Sequence, residues 1–239
     1  MPNTPTSRHA QLVIWHLTDS ALPTGSFAHS AGLETYIQAN QVDDAASFSS
    51  WLHGYLRQAS FNDALAVKFA VELVGASISD GEKLELLAQL DALLHAAQTP
   101  KQVRVSMNSM GKRMSRVASI VAPDDFLVHE YAQAISSRTM HGNPGIATGL
   151  VLAAVGVSAR EAVDAYLMQL ATSMTQNAIR AIPLGQDAGQ RVLVGAYPVI
   201  ETAGEMTMTH SMADLGVVAP RLEVAQMQHE KLHARMFMS

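Results

Sequence analysis

The sequence predicts an all-α protein, a single compact domain of about ten helices with mobile N- and C-terminal ends. Three observations predict it. Apolar residues recur at helical spacing in most windows of the chain. Hydrophobic residues make up 48% of the 239 and charged ones 15%, which suffices for one sizeable core. Strand signals are scarce: the best candidate is 191–200, RVLVGAYPVI, where Pro198 would interrupt a ladder. No repeat, low-complexity tract or long linker divides 1–239.

Along the chain, Leu22-Pro23-Thr24-Gly25 reads as a turn, and Ser26 as the cap of a helix running through Leu33 and Ile37. Leu86, Leu87, Leu90, Leu93, Leu94 and Ala97 form one broad helix face, with Glu85 and Asp91 placed on the surface. Thr99-Pro100 suits a helix start, and Val103, Met107, Met110, Met114 and Val117 give that helix its apolar stripe. Pro123-Asp124-Asp125 opens the next helix with acids against its dipole. The uncharged stretch 142–159, with Gly145 and Gly149 in G-x-x-x-G spacing, is broken by Asn143-Pro144 and Gly156, so it reads as a small-residue helix inside a core, not a membrane span. Ser158 and Glu161 form a capping box ahead of a stripe of Val163, Leu167, Leu170, Met174 and Ala178.

Composition narrows the chemistry. With no cysteine there is no disulfide scaffold, thiolate metal site, iron–sulfur cluster or cysteine nucleophile. A net charge of −5 speaks against nucleic acid as a partner. The opening MPNTPTSRHAQ lacks the apolar run of a signal peptide, and the expected location is cytoplasmic. Thirteen methionines against six phenylalanines suit either irregular core filling or an adaptable helical surface.

Three patterns invite a catalytic reading. His229-Glu230-Lys231-Leu232-His233 spells H-E-x-x-H, which on a helix puts two imidazoles on one face beside a carboxylate, as zinc hydrolases do. A third ligand would have to follow, and 234–239 offers none. Asp19, Ser26 and His29 are the residue types of a nucleophilic triad, but no G-x-S-x-G elbow presents the serine, and the glycine-bearing loop with Phe27 reads better as a recognition element. Gly111-Lys112 lacks the upstream glycine of a phosphate loop. Arg104, Lys112 and Arg116 share one helix edge, either solvated or turned toward an acidic protein. The C-terminal segment carries Leu222, Ala225, Met227, Leu232, Met236 and Phe237 among Arg221, Lys231 and Arg235, and suits docking on a partner. No complete active site emerges; the chain reads as a helical binding protein that is not an enzyme.

Three segments, taken together and in order, resemble the UreF-type urease accessory proteins over nearly the whole chain. LTDSALPTGSFAHSAGLE is similar to that family's N-terminal signature, NAIRAIPLGQDAGQRVL to its N-A-x-R-x-x-P-L-G-Q-x-x-G-Q segment, and APRLEVAQMQHEKLHARMFMS to its C-terminal pattern. The sequence departs from the family at His29, where many members have tyrosine, at Val105, often acidic, and at Met238, often basic. The resemblance implies an all-α homodimer without catalytic residue, metal site or cofactor. It would join a UreD/UreH-type accessory protein, recruit a UreG-type GTPase and support nickel insertion into apo-urease. Residues 221–239 would be the docking tail, through Met227, His229, Glu230, Arg235 and Phe237. The loop residues Pro23, Gly25, Ser26 and Phe27 would face the GTPase or the partner. Arg180 and Gln186 would line a polar passage or hold a turn, and the helix over 161–180 would supply the dimer surface.

Overall fold

The computed structural model describes residues 6–238, and its regular elements are all helical. The first is α1 (Arg8–Thr18), followed by a loop with a 3₁₀ turn at Ser26–Ala28 and the short α2 (Leu33–Gln38). Then come α3 (Ala45–Ala59), α4 (Asp63–Val74), α5 (Asp80–Ala97), α6 (Lys101–Val121) and α7 (Phe126–Ser137). The second half holds α8 (Pro144–Ala154), α9 (Ala159–Ala181), α10 (Gln186–Gly195), α11 (Tyr197–Thr209) and α12 (Pro220–Gln228). The expected mobile N-terminal end includes residues 1–5, which lie outside the described residues, as does Ser239.

At the centre lies α8, buried from Pro144 to Leu152 and packed on α4, α6 and α9. Its two glycines bring backbones together: a Cβ at Gly145 would stand 2.7 Å from the Asp63 carbonyl oxygen, and one at Gly149 2.6 Å from that of Val67. The G-x-x-x-G spacing thus makes a close helix contact inside a core, and no helix among the described residues is long and apolar enough to cross a membrane. Asn143 caps α8 by accepting from the amides of Gly145 and Ile146, and Ser158 and Glu161 close the expected capping box on α9.

Several sequence expectations need correction. Asp91 is not on the surface: it is 2% exposed and accepts from the Tyr131 hydroxyl and the amides of His141 and Gly142, tying α5 to the loop that leads into α8. A carboxylate that meets three donors tolerates burial, which periodicity alone does not reveal. The α5 stripe is narrower than expected, since Leu86 and Leu93 are half exposed. Ser26 does not cap α2; Gly32, at φ +94°, stands at that N-terminus, and Ser26 begins the 3₁₀ turn instead. The doubtful strand at 191–200 is the end of α10 and the start of α11, with Pro198 in the first turn, where it displaces no hydrogen bond. Finally, the apolar pattern of α9 is covered within the chain by α1, α3, α4, α8, α10 and α11, so that pattern is accounted for by the protein's own core.

Candidate functional site

The three segments that stand out in the sequence, far apart along the chain, meet in one place. The turn at Leu22–Gly25 closes with the Thr24 amide donating to the Leu22 carbonyl at 2.7 Å. Gly25, at φ +82°, reverses the chain where a side chain would meet the Arg113 guanidinium. The 3₁₀ turn that follows leaves Phe27 43% exposed and aims its carbonyl at α9. There Arg180, in the last turn of α9, donates to Phe27 O at 2.6 Å and to Asn177 Oδ1 at 2.5 Å. Asn177, fully buried, donates in turn to the His29 carbonyl at 2.8 Å. The Arg180 guanidinium also lies over the ring of Phe237, its carbon 5.1 Å from the ring centre, and Phe237 is itself buried.

Glu34 holds the C-terminal segment. This carboxylate, 4% exposed at the start of α2, accepts from His229 Nε2 at 2.7 Å and from the amides of Met236 at 2.5 Å and Phe237 at 3.2 Å. His229 is fully buried, and its Nδ1 meets the Gln102 side chain of α6 at 3.1 Å. Further bonds run along the seam. The Thr35 hydroxyl donates to the Ala225 carbonyl, Gln38 to that of Ala234, Gln226 to that of Ala31, and the Met238 amide to that of Ala28. Gly32 lets α12 lie close: a Cβ there would be 3.0 Å from the Gln226 side chain. The result is a clasp made of 22–38 and 220–238, closed over the body at α6 and α9.

Beneath the clasp is a cavity of ≈ 120 Å³, walled by Met107, Met110 and Met114 of α6, Tyr166 of α9 and Asp63 of α4, with Leu222 and Gln226 of the clasp among its other neighbours. The methionine stripe therefore lines an internal space. Burial pushes the Asp63 carboxyl up to about 6. His29, on the same wall, is held below its ordinary value by burial first, then by Arg113 and His229.

The zinc reading fails on this geometry. α12 ends at Gln228, residues His229–Lys231 form a 3₁₀ turn, and the chain then leaves helical geometry at Leu232 and bends at 233–234, so His229 and His233 do not share a helix face. His229 points inward with both ring nitrogens engaged, while His233 is exposed. Among the described residues no group of three or more histidine, aspartate or glutamate side chains is placed to hold a metal ion.

Of the site residues expected from sequence, the clasp gathers Gly25, Ser26, Phe27, Arg180, His229 and Phe237. Pro23, Met227, Glu230 and Arg235 sit on its outer surface, exposed. Gln186 stands apart as the exposed first residue of α10, with no hydrogen bond to the clasp among the described residues. Sequence reasoning missed Glu34, Asn177 and Gln102. The only signal for Glu34 was its place in the G-L-E part of the first signature, since a carboxylate in a short helix otherwise reads as solvated.

Comparison with known proteins agrees with what the signatures suggest. The UreF family profile matches residues 42–197, the body beneath the clasp. A urease accessory protein UreF of Arthrobacter sp. (strain FB24) is 43% identical over 230 residues, 96% of this chain and 97% of its own. One from Paenarthrobacter aurescens (strain TC1) is 40% identical over 230 residues, covering 96% and 98%. One from Corynebacterium efficiens is 38% identical over 229 residues, covering 95% and 96%. These relatives are named as accessory proteins, not as enzymes. With signatures, profile and full-length relatives in agreement, this chain belongs to the UreF family of urease accessory proteins.

Proposed function

We propose that this chain is a cytoplasmic scaffold for urease maturation. It pairs with itself, joins a UreD/UreH-type accessory protein, recruits a UreG-type GTPase and supports nickel delivery into apo-urease. Its contribution is differential binding: contacts made only in the competent assembly favour that assembly, with no covalent chemistry by this chain.

One observation carries the reading. The clasp is fixed on its inner side by Glu34, His229 and Arg180, while its outer side presents Phe27, Val224, Met227, Met236 and Met238, all at least 43% exposed. Apolar side chains held outward on an immobilised backbone bind at low entropic cost, and adaptable methionines suit a helical docking surface. In this reading 221–239 is the docking segment. Pro23, Phe27, Met227, Glu230 and Arg235 touch the partner; Gly25, Ser26, Arg180, His229 and Phe237 set the geometry; and Gln186 serves a separate polar contact.

The test is co-expression with the cognate UreD-type protein, followed by light scattering. Met227→Asp with Met236→Asp, both exposed, should leave the fold intact by circular dichroism and lower affinity about 30-fold, a loss of ~2 kcal/mol. An unchanged complex removes the clasp from the interface and leaves family membership untouched.

A further inference from the structure

A second outward-facing feature lies off the clasp segments, on α6. α6 carries Lys101, Arg104, Lys112, Arg113 and Arg116 and no acid, in a chain where 21 acids outnumber 16 bases. At about 100° per residue, Lys101, Val105, Lys112, Arg113, Arg116 and Ile120 fall within an arc of about 120°. All six are exposed, Val105 at 60% and Ile120 at 79%. Over the 21 residues of α6 this makes a stripe roughly 30 Å long. Arg104 lies beside it and donates to the Gln98 carbonyl at 2.8 Å.

Among the described residues no ion pair neutralises the stripe. The ion pairs among the described residues join Lys68 to Glu72, Arg160 to Asp164 and His229 to Glu34, and none involves a cation of α6. Three exposed cations gathered in two turns repel one another and raise the local potential. A solvated helix face usually interleaves both signs; this one does not. It also has two large exposed aliphatic residues, one toward each end. The stripe continues to the candidate site, because the Arg113 guanidinium reaches Gly25.

We propose that the outer stripe of α6 is a second docking surface, for an acidic segment of a protein partner. Carboxylates on that partner meet Lys112, Arg113 and Arg116, and its apolar side chains cover Val105 and Ile120. Phosphate-rich partners fit less well. Val105 interrupts the cations and Ile120 ends the stripe without one, and the acidic remainder of the chain would repel a nucleic acid lying along it. The surface lies on the body and borders the clasp at Arg113, and only the choice of probes rests on the proposed assembly.

The probes are the cognate UreD-type protein, UreG-type protein and apo-urease, each titrated against the full chain at low and high salt. Lys112→Glu with Arg116→Glu should weaken one of the three at least tenfold and remove most of its salt dependence, leaving the others within twofold. Val105→Ser with Ile120→Ser should weaken the same component severalfold with its salt dependence kept. All four positions are exposed, and thermal melts should match the parent. Unchanged affinities for all three probes overturn the proposal, as does tighter binding of the stripe to single-stranded DNA or to phosphatidylserine vesicles. If the stripe variants lose nothing while Met227→Asp with Met236→Asp loses the accessory partner, the clasp reading stands and this one falls. If the unaltered chain binds none of the three, both fall.

Discussion

Two seams hold this molecule together by opposite means. Where α8 meets α4 the contact is backbone against backbone, made by Gly145, Gly149, Ala66 and Ala70, with scarcely a side chain between. Within the clasp and where it meets the body, side-chain atoms reach across to main-chain atoms: Glu34 to Met236 and Phe237, Arg180 to Phe27, Asn177 to His29. The first seam fails when something is added, because interiors are close-packed and cannot absorb a methyl group at 2.6 Å. The second fails when something is removed, because an orphaned buried donor or carboxylate costs more than its bond contributes. The first is suited to permanence, the second to a part that holds one geometry yet can be released.

The sharpest way to break the first seam is Gly149→Val. We expect a loss of about 3 kcal/mol or more in urea unfolding, with loss of cooperativity if α8 is displaced. A variant of parental stability would mean that the α4–α8 contact is looser than its geometry. On the second seam, Glu34→Ala strands His229 and two amides, costing ~3 kcal/mol. The loss should be local. The amide of Met238, whose acceptor at Ala28 is unaltered, should exchange about a hundredfold faster, while amides of α8 keep their protection. Equal acceleration in both places would merge the seams into one cooperative unit.

A pH titration separates the two regions again. Asp63 starts α4 on the cavity wall, and its Oδ1 has no partner among the described residues. Its folded value of about 6 lies above the ordinary carboxylate value of 3.8, so the native state binds the proton more tightly than the unfolded chain does. Stability from this group is therefore present at low pH and is lost as pH rises through about 6. Asp63→Asn should stabilise the protein by ~3 kcal/mol at pH 8 and by well under ~1 kcal/mol near pH 4. A gain independent of pH would assign the effect to packing. The smallest expected effect is Arg180→Lys, ~1 kcal/mol, because an ammonium cannot hold Phe27 O and Asn177 Oδ1 while stacking on Phe237. It should appear as faster exchange in 232–238 alone.

The comparison also explains what could be read from the sequence. The α4–α8 seam was legible: small residues at i, i+4 in an uncharged helix have few uses other than close approach, and the capping box at Ser158 is a local pattern. The clasp was legible as a recognition loop, a docking tail and three resemblances, with nothing to say that these segments touch. Asp91 and Glu34 were the costly omissions. Both are carboxylates whose burial depends on donors 40 or more positions away, so no window along the chain contains the reason. The H-E-x-x-H pattern misled for a related cause: its helix stops at Gln228 because His229 is drawn inward by Glu34.

Glu34 and the donors that satisfy it are separated by 195 to 203 positions. During synthesis the body, matched by the family profile over 42–197, is complete before any of those donors leaves the ribosome. From that point until the last residues emerge, the N-terminal half of the clasp has its carboxylate without those donors, beside a cavity that lacks the part of its wall supplied by Leu222 and Gln226. The clasp closes last. A cognate partner present at the ribosome would meet that opening before the chain's own segment does, and the order of arrival, not affinity alone, would then decide which of them fills it.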